Sequence, residues 1–261
     1  MVDRAHSVPT TAPSITVSRL HARYGKRVAL RELSLHFAAG EVTAVIGPSG
    51  CGKSTLLRCI NRLHECVPQA LVTGSVRIGR DEIYAPLVDV IAVRRRAGMV
   101  FQQPTPFPTR SIFGNVAAGV RAAGHRGADV SKLVEDSLRR AGLFDEVHAQ
   151  LHGSALTLSH GQQQRLCIAR ALAVTPDVLL LDEPTASLDA LATQRIEELL
   201  YQLRGSVTTV LVTHNLQQAA RVADSTIFLL DGQLVEHAQS NALFTVPTDA
   251  RTEAYVTGRF G

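Results

Sequence analysis

Two rhythms of apolar and polar positions alternate along this chain. Residues 15–20 and 27–37 read as strands, and 41–46 form a short apolar-rich strand that runs straight into GPSGCGKST. Beyond Ser54 the apolar residues Leu56, Leu57, Ile60 and Leu63 fall on one helical face. Residues 71–79 return to β-structure. A short strand, GMVF, follows Arg94, Arg95 and Arg96. The next stretch, QQPTPFPTRS, carries three prolines, and their missing N–H groups rule out regular structure there.

Helical patterns broken by glycines occupy 115–150, and 162–173 reads as a helix closed by Thr175 and Pro176. The unbroken apolar run 178–181 has the character of a strand buried on both faces. Ile196, Leu199, Leu200 and Leu203 mark an amphipathic helix, and 207–213 a β-branched strand ending at His214. Strands alternating with helices imply an α/β domain around a mainly parallel sheet. The least β-like part, about 104–164, is expected to be a helical insertion in that domain. Residues 1–13 are polar and rich in proline and threonine, which predicts a loose tail.

Composition narrows the class. At 261 residues and 45% hydrophobic content the chain can bury a full core without disulfides or metals. The net charge of +4 is mild and suits an anionic partner without specifying one. Cys51, Cys59, Cys66 and Cys167 form no C-x-x-C pair, so a zinc ribbon is not indicated and free thiols are expected. The first residues, MVDRAHSVPTTAP, lack the apolar segment of a secretory signal, and no stretch reaches the roughly 18 apolar residues that span a bilayer. A cytoplasmic protein is the expectation. The three arginines at 94–96 are read as a solvated or partner-facing edge, and no nucleic-acid partner is expected.

The chemistry begins at the glycine-rich string. Gly47, Pro48, Ser49, Gly50, Cys51, Gly52, Lys53, Ser54 and Thr55 fit G-x-x-x-x-G-K-[ST] between a predicted strand and a predicted helix. Such a loop turns backbone N–H groups toward phosphate oxygens, aided by the positive end of the helix. Lys53 is placed to reach the β- and γ-phosphates of a nucleotide, and Ser54 to ligate Mg²⁺. The thiol of Cys51 is incidental on this reading. The strand 178–181 ends in Asp182 and Glu183. In a P-loop protein the first carboxylate helps hold Mg²⁺, and the second can orient or deprotonate the attacking water.

Further motifs are specific to one family. LSHGQ at 158–162 resembles the LSGGQ signature of ATP-binding cassette (ABC) ATPases. Gln102 resembles their Q-loop, Ser187, Leu188 and Asp189 their D-loop, and His214 their switch histidine. Tyr24 stands where the family places an adenine-stacking aromatic. The order and spacing match over nearly the whole chain. The resemblance implies a P-loop NTPase fold: a single ABC nucleotide-binding domain over 1–261, with a RecA-like core, an antiparallel β edge and a helical subdomain. It also implies a dimer of cassettes in which ATP lies between one phosphate loop and the partner's signature. Ser159, Gly161 and Gln162 would then face the nucleotide held by the other copy. Gln102 would sense Mg²⁺ and link to the helical part. One position departs from the family: His160 replaces the first signature glycine. If that position needs a positive φ, histidine is strained there, and relieving the strain with glycine should equal or raise the ATPase rate.

A narrower likeness lies outside the ATP chemistry. QQPTPFP, LSHGQQQRLCIARAL, THNLQQAARVAD and the terminal TEAYVTGRFG are similar to the ATPase subunits of bacterial phosphate-specific importers. This implies two membrane permease subunits, a periplasmic or extracellular phosphate-binding protein acting through them, and a peripheral place on the cytoplasmic face of the membrane. The alternatives are an importer ATPase for another solute and an ABC ATPase that moves no solute. A P-loop kinase would have no use for LSHGQ.

Overall fold

Two sheets of opposite character build the molecule, and strand burial explains the difference. The computed structural model describes residues 12–259. Its first half contains β1 (Ile15–Tyr24), β2 (Arg27–Phe37), β3 (Val42–Ile46), α1 (Lys53–Ile60), β4 (Ala70–Ile78), β5 (Asp81–Glu82), α2 (Val90–Arg96) and β6 (Ala97–Val100). A helical stretch follows, with α3 (Ile112–Ala122), α4 (Ala128–Arg140), α5 (Phe144–Val147) and α6 (His160–Leu172). The chain then returns to alternation with β7 (Val178–Asp182), α7 (Ala190–Leu203), β8 (Thr208–Val212), α8 (Leu216–Val222), β9 (Ser225–Leu230) and β10 (Gln233–Gln239). It closes with α9 (Ser240–Thr245) and α10 (Ala250–Val256).

The antiparallel sheet runs β2-β1-β4-β5, and its strands mix buried with exposed positions, as a sheet with one wet face must. The second sheet runs β10-β9-β3-β8-β7-β6. Its central strands β3, β7 and β8 are buried at every position and pair in parallel. Mostly aliphatic and β-branched runs such as VLLL suit burial on both faces, and the hydroxyls of the buried Thr43 and Thr208 are hydrogen-bonded. The edge strand β10 pairs antiparallel to β9. This order brings the carboxyl ends of β3, β7 and β8 side by side, where open α/β sheets bind their ligands.

Three apolar clusters hold the layers. One lies between the two sheets, where Ile15, Phe37, Leu56, Ile60 and Val212 are buried. A second covers the other face of the parallel sheet with Ile46, Leu181, Ile196, Leu200 and Phe228. A third joins the helices through Ile112, Val116, Val134, Leu138 and Leu166. The helix α6 feeds both of the last two, with Ile168 and Leu172 on one side and Leu166 and Ala169 on the other.

Several expectations need correction. The helix α6 starts at His160 rather than 162, because Ser159 caps it in a reciprocal box with Gln162. The helix α2 escaped the periodicity reading. It is short, but Asp89 caps its start by accepting from the Ile91 N–H at 2.9 Å. Leu63 lies past the end of α1 in a 3-10 turn. Two of the three arginines at 94–96 are tied within the molecule. Arg96 pairs with Asp177 at 2.6 Å and Asp81 at 2.8 Å, and Arg94 donates to the Arg62 carbonyl. The predicted tail falls mostly on residues 1–11, outside the described residues. At its end Ala12 is buried, and the Pro13 carbonyl accepts from Thr208 Oγ1 at 2.7 Å. The other terminus docks through α10, whose Tyr255 stacks on Phe228 at 4.8 Å; Phe260 and Gly261 lie outside the described residues.

Candidate active site

The phosphate-type loop leaves β3 at Ile46 and enters α1 at Lys53. Two of its glycines are demanded by close packing. Gly47 has φ +147, and a Cβ there would sit 2.2 Å from the Leu229 carbonyl oxygen. Gly52 has φ +110, and a Cβ there would sit 2.6 Å from the Ala29 carbonyl oxygen. Gly52 is also the N-cap of α1, so no side chain caps the first turn, and that turn contains no acidic residue. The positive end of α1 is therefore offered to an anion.

Lys53 is buried, and its Nζ donates to the carbonyls of Gly47 at 2.7 Å and Pro48 at 2.9 Å. The third of its donors meets Cys51 Sγ at 3.8 Å, a weak acceptor that a phosphate oxygen would displace. Ser54 Oγ donates to Asp182 Oδ1 at 2.9 Å. That hydroxyl and carboxylate beside the loop are the hard oxygen donors that Mg²⁺ prefers. Burial pushes the Asp182 carboxyl up, against the hydrogen bond from Ser54 and the nearby positive charges. Burial also pushes the Cys51 thiol up, with Lys53 opposing, so the thiol stays protonated and is no nucleophile at neutral pH.

Glu183 follows β7 in a left-handed conformation, φ +50, with its N–H bonded to the Val212 carbonyl at 2.9 Å. A non-glycine residue there is strained. The turn aims the carboxylate at His214, whose Nε2 lies 2.7 Å from Glu183 Oε1. The pair arises because β7 and β8 are neighbours, although the two residues are far apart in sequence.

One cavity of about 300 Å³ gathers most of these groups. Tyr24, Ser49, Gly50, Gly52, Lys53, Ser54, Thr55, Glu183 and His214 line it. Sequence reasoning missed Arg27, which also lines it. It sits opposite Tyr24 across the tight turn between β1 and β2, a register that a basic residue just past the turn could have suggested.

Other candidates lie elsewhere. Gln102 is exposed after β6 and does not line the cavity. Nor do Ser159, Gly161, Gln162 and Asp189, which cluster at the starts of α6 and α7. Gly161 is required by packing, since a Cβ there would lie 2.8 Å from the Ala192 Cβ of α7. Gln162 Oε1 accepts from the Ser159 N–H at 2.9 Å, and its Nε2 donates to Glu146 at 3.0 Å. Asp189 caps α7 by accepting from the Ala192 N–H at 2.7 Å.

The strain expected at His160 is absent. The residue is the first of α6, exposed, and not among the positive-φ residues. Replacing it with glycine removes no backbone strain and weakens a helix start by at most about 1 kcal/mol. We therefore expect His160→Gly to keep the wild-type hydrolysis rate, with a slightly lower melting temperature. A several-fold faster variant in a steady-state ATPase assay would instead mean that the imidazole itself obstructs the site.

A family model described as ABC transporter matches residues 30–186. The Phosphate import ATP-binding protein PstB of Salinibacter ruber is 54% identical over 249 residues, covering 95% of this chain and 99% of its own. The protein of the same name from Koribacter versatilis is 53% identical over 249 residues, covering 95% and 98%. Among solved structures, cbiO1 from Clostridium perfringens, part of the ABC transporter complex cbiONQ, superposes with a TM-score of 0.77. It is 26% identical, over 90% of this chain and 92% of the other.

Proposed function

This chain belongs to the ABC transporter family, and we propose that it is the ATP-hydrolysing subunit of an inorganic phosphate importer. The observation that carries the reading is the meeting in one cavity of a buried lysine, Ser54 and a glutamate–histidine pair, with Asp182 held by Ser54 outside the lining. Each has a place in phosphoryl transfer to water. Tyr24 offers a ring to the base, and the loop N–H groups with Lys53 hold the phosphates. Ser54 and Asp182 would hold Mg²⁺, which would neutralise charge on the phosphates. Glu183 accepts a proton from the attacking water. His214, hydrogen-bonded to Glu183, holds that carboxylate and lines the same cavity.

A single chain offers only one wall of this site. The cluster at Ser159, Gly161 and Asp189 does not line the cavity of its own chain, which supports a dimer whose copies complete each other's sites. Gln102, exposed at the start of the proline-rich segment, would link Mg²⁺ to the helical part when the dimer closes. Among the described residues no helix is long and apolar enough to cross a membrane. On our reading two permease subunits do so, this chain sits on their cytoplasmic face, and a binding protein delivers phosphate from outside. The two relatives named for phosphate import support that solute.

The test is uptake of radiolabelled phosphate at micromolar supply. Cells lacking this protein, in a background without a second phosphate ATPase, should lose it. The wild-type chain should restore it, and Glu183→Gln should not. Normal phosphate uptake in the deletion strain, with loss of another solute, would retire phosphate and leave the ATPase reading in place.

A further inference from the structure

The segment THNLQQAARVAD is not demanded by nucleotide chemistry, yet one of its residues reaches into the site's foundations. Gln218 lies on α8 and is fully buried. Its Oε1 accepts from two hydroxyls, Thr185 Oγ1 at 3.1 Å and Thr213 Oγ1 at 3.0 Å. Thr185 follows Glu183 by two residues, and Thr213 immediately precedes His214. Thr213 Oγ1 also accepts from the Asn215 N–H at 3.0 Å, and Asn215 Oδ1 accepts from the Gln218 N–H at 2.9 Å. His214 is thus bracketed on both sides by residues bound to Gln218.

The other end of the amide fixes its orientation. Gln218 Nε2 donates to Glu197 Oε1 at 3.3 Å, and Arg221 donates to the same oxygen at 2.7 Å. A carboxylate can only accept, so the NH₂ faces Glu197 and the carbonyl faces the threonines. Glutamate would set a second carboxylate against Glu197, and an apolar residue would leave the two hydroxyls without their shared acceptor.

We propose that Gln218 is a positioning residue for hydrolysis: one buried carbonyl, shared by the loops after β7 and β8, holds Glu183 and His214 in register. This rests on the reading of those two residues as the hydrolytic pair. A carboxylate and imidazole 2.7 Å apart on separate loops lose alignment when either loop shifts, and misplacement of about 1 Å costs up to about 10²-fold in rate.

The experiment is steady-state ATP hydrolysis by the purified chain, with folding followed by thermal melting. Gln218→Met, similar in volume, should lower kcat about 10- to 100-fold with KM for ATP held near wild type. Gln218→Glu should also be slow, and so should Thr185→Val/Thr213→Val, which removes both hydroxyls from the carbonyl and leaves the Gln218–Glu197 contact in place. A folded Gln218→Met with wild-type kcat overturns the inference. So does a folded Thr185→Val/Thr213→Val pair with wild-type kcat, and this pair decides the question if the methionine variant does not fold. Glu183→Gln and His214→Ala run in parallel separate the two readings. If they hydrolyse ATP normally, the hydrolytic pair itself is wrong and the inference falls with it. If they are slow and Gln218→Met is not, only the inference fails.

Discussion

Glu183→Gln is expected to slow ATP hydrolysis by about 10²- to 10⁴-fold while ATP still binds. The amide matches the carboxylate in size and can still hydrogen-bond His214, so the geometry of the pair survives. What disappears is the basic oxygen that, on the proposed mechanism, takes the proton from water. Glutamine tolerates the left-handed backbone of position 183 no worse than glutamate, so the melting temperature should hold. The variant should accumulate as an ATP-bound dimer, because closure outlives a step that no longer occurs. Turnover and dimer fraction measured together decide the matter. Near-normal turnover would remove Glu183 from its role.

Lys53→Ala should weaken ATP binding and cut hydrolysis by at least about 10²- to 10³-fold, the scale on which a preorganised donor to a charged transition state is lost. Lys53 is buried and already fastened to the Gly47 and Pro48 carbonyls, so its ammonium waits in place. Alanine removes that charge and strips two loop carbonyls of their donor. The loop should lose both its attraction for phosphate and part of its shape. ATP titration and turnover on a variant shown to be folded are the measurements. Unchanged values in both would defeat the phosphate-loop assignment.

The fold was legible where burial imposes a single chemical demand. The run VLLL of β7 is aliphatic because both its faces are buried, and the glycines at 47 and 52 had to be glycine, so both stood out. The α6 start was also readable in principle, since Ser159 and Gln162 have the spacing of a capping box. Position 160 was misread because a family glycine suggested a positive φ where the backbone is helical. The sheet order β10-β9-β3-β8-β7-β6 could not be read from periodicity, which is local, whereas strand pairing is not. The contact of Glu183 with His214 and the joint hold of Gln218 both depend on that pairing. Arg27 was missed because its part depends on the β1–β2 register and not on any motif.

The left-handed turn at Glu183 sets two selective pressures against each other at one codon. The backbone there would be relaxed by glycine, and partly by asparagine, the residues that enter this region at least cost. Holding glutamate instead costs the fold on the order of 1–3 kcal/mol, a sizeable share of the margin by which domains stay folded. On the proposed role of Glu183, the need to hydrolyse ATP repays that cost. In a lineage released from this need, the position should be among the first in the site to drift, and toward greater thermal stability.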